Sequence, residues 1–339
     1  MQKKYNIPIF VPHKGCPFDC VFCNQNRITG QIKEVTPDDV TGTIETYLKT
    51  LPDGADIETA FFGGSFTGIP IEEQTALMER VQPYIRSGRI KGIRLSTRPD
   101  YIDDTILENL RRHGVTTVEL GVQSMCPEVL EKSNRGHSAE QVVSASRLIK
   151  EYGIGLGLQM MTGLPGDTPE RSVYTAKKII ELAPECVRIY PTLTIKGTYL
   201  EKLYERGEYR PQTLDEAVTL AKELLLMFER AGITVIRLGL QPTEEINEHA
   251  SVVAGPFHSA FGELVEGEIY YDMMREALKS LNSRGGAVVL VNDREISKAV
   301  GNGRRNLKRL ENEFGYKITV KGEKSLKKRE VRAVAAEKA

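Results

Sequence analysis

Hydrophobic positions alternate between two patterns along the first two-thirds of the chain. Short β-branched and apolar runs predict buried strands, and longer stretches with apolar residues at helical spacing predict helices. The predicted strands cover residues 7–11, 59–62, 92–95, 116–120, 154–161 and 186–189. The helices between them are predicted at 38–51, 72–87, 103–113, 139–152 and 169–182, the first capped by Thr36 and opened by Pro37.

This alternation predicts an α/β fold with a parallel sheet and right-handed crossovers. Six such units are fewer than the eight of a complete barrel, and a further helix at 217–231 and a strand at 234–238 follow them. A barrel of this kind carries its chemistry on the loops after the strands. The loop after the first predicted strand is therefore the first place to look for a site.

Composition narrows the class of protein. The chain has 339 residues, 40% of them hydrophobic and 27% charged, as expected for a globular protein of one to three domains. No stretch approaches the roughly 20 apolar residues that a membrane span needs, so no membrane partner is expected. The sequence shows no export signal, which predicts a reducing, cytoplasmic location where free thiols persist.

Three cysteines stand close together in the loop after the first strand. Cys16, Cys20 and Cys23 follow the spacing C-x3-C-x2-C. Iron–sulfur clusters are usually held by four thiolates, so a loop with three predicts a cubane cluster whose fourth iron takes an exchangeable ligand. A structural zinc site with His13 as fourth ligand, or a disulfide, are the alternatives, although zinc prefers C-x2-C pairs and five cysteines is an odd number.

With Phe22 just before the last cysteine, the loop resembles that of the radical S-adenosylmethionine (SAM) enzymes. The resemblance implies a partial (β/α)6 TIM-like barrel of radical SAM type, open at one side. It also implies a [4Fe–4S] cluster on the three cysteines, SAM on the open iron, and an electron donor such as flavodoxin or ferredoxin. Reductive cleavage of SAM would then yield a 5′-deoxyadenosyl radical.

Further motifs occur in the order found in one branch of that superfamily. Together they resemble the radical SAM half of the Elongator catalytic subunit, which modifies wobble uridine in tRNA, and more loosely the oxygen-independent coproporphyrinogen oxidases. The resemblance covers about residues 5–240. About a hundred residues follow, too few for the acetyltransferase domain of that subunit plus the elements predicted there. The motifs are Ser96–Asp100, Glu119–Ser124, Asn134–His137, Gly163–Asp167 and Arg188–Leu193.

The resemblance also implies roles for single residues. Backbone carbonyls of Gly63 and Gly64 would meet the SAM amino group. Gln123 would bond the ribose hydroxyls of SAM, and Arg135 would pair with the SAM carboxylate. Ser96 stands where relatives have a ribose-contacting Glu, and Gln159 stands where they have a SAM-contacting Asp or His. Tyr190 of the sixth strand is the candidate for facing the substrate or relaying a hydrogen atom, with packing as the alternative.

The C-terminal part predicts a small α+β module. A strand at 287–291, a helix at 294–300, a turn, a helix at 306–313 and a strand at 317–320 resemble a KH-type RNA-binding unit. The segment from Arg304 to Arg332 contains eleven Lys and Arg but four Glu, whereas the whole chain has a formal net charge of zero. This basic excess predicts an anionic partner, RNA, or a solvated tail from Lys321 onward. The predicted RNA-binding residues are Gly301, Gly303, Arg304, Arg305 and Lys308.

These patterns predict a core barrel at 1–240, a barrel-closing extension at 241–285 and the KH-like module at 286–339. The function that they favour is a radical SAM enzyme that modifies RNA, specifically tRNA. Two alternatives remain open at this point. One is a radical SAM enzyme with a small-molecule substrate such as a tetrapyrrole, and the other is a non-catalytic iron–sulfur protein that binds RNA.

Overall fold

The structure, a computed structural model, describes residues 4–11, 20–23, 35–240, 251–281 and 285–336. It divides into two compact units, Met1–Thr213 with Met227–Phe257, and Leu214–Leu226 with His258–Ala339. The predicted domain boundaries at 240 and 285 stay a prediction. None of the helices in the described ranges is long and apolar enough to cross a membrane.

The first unit alternates strands and helices. Its strands are β1 (Lys4–Val11), β2 (Asp56–Gly63), β3 (Gly92–Thr97), β4 (Val115–Gln123), β5 (Gly155–Thr162), β6 (Cys186–Pro191), β7 (Thr194–Ile195), β8 (Thr234–Leu238) and β9 (Val252–Ala254). The helices are α1 (Pro37–Leu48), α2 (Ile71–Glu79), α3 (Gln82–Arg86), α4 (Asp104–Arg112), α5 (Pro127–Lys132), α6 (Ala139–Glu151), α7 (Pro169–Glu181) and α8 (Tyr199–Glu205). Helix α9 (Leu214–Arg230) follows, and its residues up to Leu226 are assigned to the second unit.

Seven parallel strands form one sheet in the order β1-β2-β3-β4-β5-β6-β8. Because neighbours in the sheet follow one another along the chain, every crossover steps the same way, as in a barrel. Within the described residues β1 and β8 do not pair with each other, so the barrel is partial and open. The predicted partial α/β barrel is thereby confirmed, and the seventh strand of its sheet is the one predicted at 234–238.

Local sequence explains most helix boundaries and one wrong prediction. Thr36 caps α1 as predicted, since its Oγ1 accepts from Asp39 N at 3.2 Å and Asp39 Oδ2 accepts from Thr36 N at 2.8 Å. The single helix predicted at 72–87 is wrong, because α2 ends at Glu79 and α3 begins at Gln82. Pro83 has no N–H to donate to the Glu79 carbonyl and its ring clashes there, which breaks the helix.

In the second unit three helices share one hydrophobic core with a three-stranded sheet. Its elements are α10 (Phe261–Lys279), β10 (Ala287–Val291), α11 (Ile296–Val300), α12 (Arg305–Phe314), β11 (Ile318–Gly322) and β12 (Val331–Ala335). Tyr270, Val289 and Leu310 are fully buried in its core. The predicted order β-α-turn-α-β is present, with β10 parallel to β11. The KH assignment itself stays a prediction, and strand β12, antiparallel to β10, is an element that the sequence reading missed.

Candidate active site

The part of the cysteine loop that the structure describes is fixed from two sides. Cys23 N donates to Cys20 O at 2.9 Å, which makes a tight turn. Val21 N donates to Ser133 O at 3.1 Å, and Leu200 N at the start of α8 donates to Val21 O at 2.7 Å. The loop is therefore pinned between α8 and the turn after α5. The predicted ligand Cys16 lies outside the described residues.

Arg135 lies directly beside the loop. Its Nη1 donates to Cys20 Sγ at 3.6 Å, and its Nη2 donates to Gly121 O at 2.8 Å. The side chain is buried at 7% exposure, and its Nε has no hydrogen-bond partner among the described atoms. Since buried donors are normally satisfied, an unpaired guanidinium N–H at this position fits an anionic ligand such as a carboxylate.

Arg98, a member of the motif Ser96–Asp100 for which the sequence predicted no role, stabilises the turn that contains Arg135. Arg98 Nε and Nη2 make a bidentate pair with Asp100 at 2.9 and 3.0 Å, and Nη2 also donates to Arg135 O at 2.8 Å. Arg98 is 1% exposed. The turn itself uses positive φ angles at Asn134 (49°) and Gly136 (79°). The signal in the sequence was the close Arg98/Asp100 pair, which satisfies a buried guanidinium locally.

The neighbouring strands β4 and β5 bring Gln123 and Gln159 together. Gln159 Nε2 donates to Gln123 Oε1 at 2.9 Å. Gln123 is buried and has a φ of 64°, next to an irregular register between β4 and β5. A bulge of this kind changes the direction of a side chain at the end of a strand. Gln123 lies at the carboxyl end of β4, which is the end where a barrel places its site.

Gly121 is a site residue that the sequence reading missed. A Cβ placed on it would lie 2.8 Å from Arg135 Nη2 and 2.9 Å from Gln123 Nε2. Only glycine therefore allows both polar groups to close over the strand. The signal was the glycine inside the motif Glu119–Ser124, which reads as an ordinary strand glycine without the tertiary contacts.

We expect Gly121→Ala to weaken SAM binding by about tenfold while the protein still folds. The new methyl group displaces the ends of two flexible side chains, Arg135 and Gln123, rather than backbone, so the main effect falls on hydrogen bonds to the ligand, each worth about 1–2 kcal/mol. Anaerobic titration calorimetry with SAM measures the affinity, and thermal melting checks the fold. Gly42→Ala, at an exposed position of α1 with nothing within 4 Å of the new Cβ and no positive φ angle, is the control for a glycine substitution as such. Wild-type SAM affinity in Gly121→Ala would contradict the expectation.

The other predicted SAM contacts lie on the neighbouring strands. Gly63 ends β2 with a φ of 110°, and Gly64 follows it. The loop after them is tied to β3 by a 2.6 Å hydrogen bond between the Thr67 and Thr97 hydroxyls. Ser96 is half-buried on β3. Within the described part of the chain no hydrogen bond joins Ser96, Gly63 or Gly64 to Arg135 or Gln123, and the SAM roles of all these residues stay predictions.

His137 adds a neutral ring next to these cations. It is 5% exposed, and burial together with the guanidinium groups of Arg135 and Arg98 lowers its pKa to about 3. Its Nε2 lies 3.2 Å from Val122 O, a contact that requires Nε2 to carry the proton. The imidazole is therefore an uncharged donor at physiological pH and adds no third positive charge beside the cysteine loop.

Tyr190 lies above a layer of ion pairs inside the barrel. Arg188 forms a bidentate pair with Glu119, 2.5 Å from Nε to Oε2 and 3.1 Å from Nη2 to Oε1. Arg188 Nη1 also donates to the Tyr190 hydroxyl at 3.3 Å, and its guanidinium lies 5.4 Å from the ring centroid of Phe62. Arg188 thus orients the Tyr190 hydroxyl. A role of this hydroxyl in catalysis stays a prediction.

The five predicted RNA-binding residues belong to the second unit. Gly301, Gly303 and Arg304 all have positive φ angles, of 77°, 57° and 62°. A Cβ on Gly301 would lie 2.8 Å from Asn306 Cγ, so glycine is required there. Arg304, Arg305 and Lys308 are exposed. Arg305 pairs with Asp215 at 3.2 Å.

Two family models match the chain. One, described as the radical SAM superfamily, matches residues 10–179, and the other, described as a radical SAM C-terminal domain, matches residues 184–271. The first match covers half of the chain and includes the cysteine loop, Gln123, Arg135 and Gln159. The chain belongs to the radical SAM superfamily. A radical SAM protein is an enzyme, and the non-catalytic alternative is therefore wrong.

Curated relatives carry the names that the motifs suggest. The tRNA uridine(34) acetyltransferase of Methanocaldococcus jannaschii is 33% identical over 184 residues, 48% of this chain and 34% of the relative. Elongator complex protein 3 of Homo sapiens is 29% identical over 202 residues, 53% of this chain and 37% of the relative. The resemblance to the radical SAM half of the Elongator family is thereby confirmed. This radical SAM chain spans about a third of the length of those relatives.

A solved structure shares the fold. The archaeal Methanocaldococcus infernus Elp3 with an N-terminal deletion superimposes with a TM-score of 0.64 at 24% identity, over 82% of this chain and 64% of that one. Methylornithine synthase also matches, with a TM-score of 0.50 at 18% identity, over 72% of this chain and 76% of that one. Both similarities show the fold of the radical SAM enzyme.

The cofactors of the superfamily are a [4Fe–4S] cluster and SAM, and the described residues fit them. The Cys20 thiol lies next to a guanidinium, which complements the negative charge of a thiolate ligand. The unpaired Arg135 Nε suits the SAM carboxylate. Because Gly121 has no side chain, the polar ends of Arg135 and Gln123 can pack against the strand there. When bound, the cluster and SAM supply a 5′-deoxyadenosyl radical, while the barrel orients the reactants and excludes water.

Proposed function

We propose that this radical SAM enzyme modifies RNA, and that its substrate is a tRNA. The observation that carries the proposal is the match to a tRNA uridine(34) acetyltransferase, at 33% identity over 184 residues and 48% of this chain. The proposal concerns the radical SAM half of that activity. The match covers 34% of that relative, and the proposal extends no further than the matched half.

The roles of single residues within this proposal follow their chemistry. Cys16, Cys20 and Cys23 hold the cluster, Arg135 pairs with the SAM carboxylate, and Gln123 bonds the ribose. Gln159 orients the Gln123 amide through the 2.9 Å hydrogen bond between them. A low-potential electron donor of the flavodoxin or ferredoxin type reduces the cluster, and the enzyme acts in the cytoplasm.

The second unit supports RNA as the substrate class. In the described part of the unit many cations are paired with carboxylates, for example Arg309 with Glu268 at 2.7 Å and Arg275 with Glu313 at 2.6 Å. Arg304 and Lys308, by contrast, are exposed at the turn before α12 and along its first turns, and neither forms an ion pair with a carboxylate of the described residues. Exposed cations beside a glycine turn suit a phosphate backbone.

We expect tRNA to raise the formation of 5′-deoxyadenosine several-fold when the protein is reconstituted anaerobically and supplied with dithionite and SAM. The RNA provides the carbon–hydrogen bond that turns SAM cleavage into productive turnover. The measurement is chromatographic quantification of deoxyadenosine with and without bulk tRNA. We expect the double variant Arg304→Ala, Lys308→Ala to need more tRNA for the same rate, with a steeper loss at high salt in the wild type.

The matched control is Lys49→Ala, an exposed lysine at the end of α1 in the other unit. It removes one positive charge, where the double variant removes two, and it leaves the turn intact. Deoxyadenosine formation that responds to a tetrapyrrole and not to tRNA would overturn the RNA substrate in favour of the small-molecule alternative. A rate that responds to neither would contradict tRNA as substrate as well.

A further inference from the structure

The inner face of the barrel carries a layer of charged side chains where such barrels usually hold branched apolar residues. Glu58, Arg94, Glu119 and Arg188 come from β2, β3, β4 and β6. Arg94 Nε lies 3.2 Å from Glu119 Oε1, and Arg94 Nη1 lies 3.6 Å from Glu58 Oε2. Their side chains are 4–15% exposed, so the pairs are largely desolvated. Two arginines and two glutamates balance one another within this group.

A third arginine joins the layer at the edge of the sheet. Strand β8 pairs with β6, and a register shift between Val187 and Arg188 sets Arg237 opposite Arg188. The irregularity skips Ile236, which is 39% exposed, and returns Arg237 to the inner face. Without the shift, regular alternation would place Ile236 opposite Arg188 and turn Arg237 towards the outer face.

The position of Arg237 is electrostatically unfavourable without a ligand. Neighbouring strands are about 4.8 Å apart, so two guanidinium groups in register repel each other in a partly buried site. Glu119 already serves both Arg188 and Arg94. Among the residues that the structure describes, no carboxylate pairs with Arg237, which is itself partly buried. The layer thus holds three arginines against two glutamates and has one excess positive charge.

That excess lies at the open side of the barrel. Strand β8 is the last of the sheet, and Arg237 is one residue from its carboxyl end, the end where parallel strands carry a site. Tyr190, the predicted substrate-facing residue, follows Arg188 by two positions on the adjacent strand and points to the same face. An anion that enters from the open side therefore meets Arg237 beside Tyr190.

We propose that Arg237 binds a phosphodiester group of the RNA substrate at this open edge and so positions the target nucleotide over the barrel. The inference rests on the proposed function, because an RNA substrate brings a phosphate backbone to this edge. A guanidinium fits a phosphate through two parallel hydrogen bonds and keeps its charge when partly buried. Arg188 keeps its own partner, Glu119, so Arg237 is the cation that remains for the substrate.

The test is the salt dependence of tRNA binding by the reconstituted full chain. Fluorescence anisotropy with labelled bulk tRNA at several salt concentrations gives the affinity and the slope of its logarithm against the logarithm of salt concentration. We expect Arg237→Ala to bind about tenfold more weakly, with a slope smaller by about one, the value for one lost phosphate contact. Arg237→Lys keeps the charge and should keep the slope while losing part of the affinity.

Two further variants make the result decisive. Arg86→Ala removes an exposed arginine of α3 and should bind tRNA like the wild type. Arg237→Gln preserves a long polar side chain and should reproduce the loss of slope if the alanine variant proves unstable. Iron content and thermal melting of each variant confirm that the barrel is intact.

Either of two outcomes would overturn this inference alone. One is wild-type affinity and slope in Arg237→Ala and Arg237→Gln, and the other is weaker binding with an unchanged slope, which indicates a positional defect without a phosphate contact. If the wild type itself binds no tRNA, the proposed function fails and the inference fails with it. The wild-type measurement therefore separates the two.

Discussion

Replacing Cys20 by alanine should abolish both the iron–sulfur cluster and SAM cleavage. Three thiolates are the smallest set that holds a cubane cluster while leaving one iron open, and Cys20 is the middle one of the three. Its side chain is 4% exposed and lies against the Arg135 guanidinium, and the alanine methyl group that replaces it has no ligand atom for iron. After anaerobic reconstitution we expect iron content and charge-transfer absorbance near the background, and deoxyadenosine below detection.

The matched control is Cys126→Ala. Cys126 is a half-buried thiol just before α5, and burial raises its pKa, so it is an inert structural cysteine. We expect a full cluster and a modest loss of stability, of about 1 kcal/mol, from a lost sulfur contact. A Cys20→Ala protein that still holds a full cluster and cleaves SAM would show that the motif is not the cluster site.

Replacing Arg135 by alanine should weaken SAM binding by roughly 10- to 100-fold and leave the cluster in place. A charge-assisted hydrogen bond to a carboxylate is worth about 1.5–3 kcal/mol, and each 1.4 kcal/mol is a factor of ten in affinity. The substitution also removes the 2.8 Å bond to Gly121 O, which leaves that carbonyl for water. Titration calorimetry with SAM under anaerobic conditions measures the affinity, and iron content reports the cluster.

Arg135→Lys separates charge from geometry. An ammonium keeps the attraction to a carboxylate but cannot make two parallel hydrogen bonds, so we expect an intermediate affinity. Arg147→Ala is the control, because its exposed pair with Glu151 on α6 is screened and contributes little. Unchanged SAM affinity in Arg135→Ala would remove this residue from the site and leave its unpaired Nε without a ligand.

Strand positions are the part of the fold that the sequence predicts best. Each of the six predicted strands is present, and the strand at Thr234–Leu238 is found with the predicted bounds. Buried strands of a parallel sheet read as short apolar runs, and glycines and caps interrupt them at both ends. Helices α5 and α8, of six and seven residues, escaped prediction because so few turns give no clear helical period.

The site is predictable only where a motif marks it. Cys20, Arg135, Gln123 and Gln159 were predicted as site residues, and hydrogen bonds join them into two adjacent pairs. The contribution of Gly121 was not predicted, because it depends on which atoms of distant residues pass within 3 Å of a strand. Long-range contacts of this kind leave no periodic trace in the sequence.

The charged layer of the barrel shows the same limit. Each strand residue such as Glu119 or Arg188 reads singly as a polar position in an apolar run. Their pairing at 2.5 Å joins residues 69 positions apart in sequence. The register shift that turns Arg237 inward is likewise invisible before β6 and β8 are aligned. Burial of an ion pair is tolerated only when both partners arrive together, which is a property of the assembled sheet.

The sequence by itself determined the fold class, the cysteine loop and the superfamily, because apolar periodicity and ligand spacing are local and survive in a single chain. Tertiary structure alone decided which polar groups close around the site: the Arg135 guanidinium beside Cys20, the bare strand at Gly121 and the neutral ring of His137. The reason is that hydrogen bonds and charges act over a few ångströms in space. Their energy depends on burial and on partners that only the folded sheet brings together.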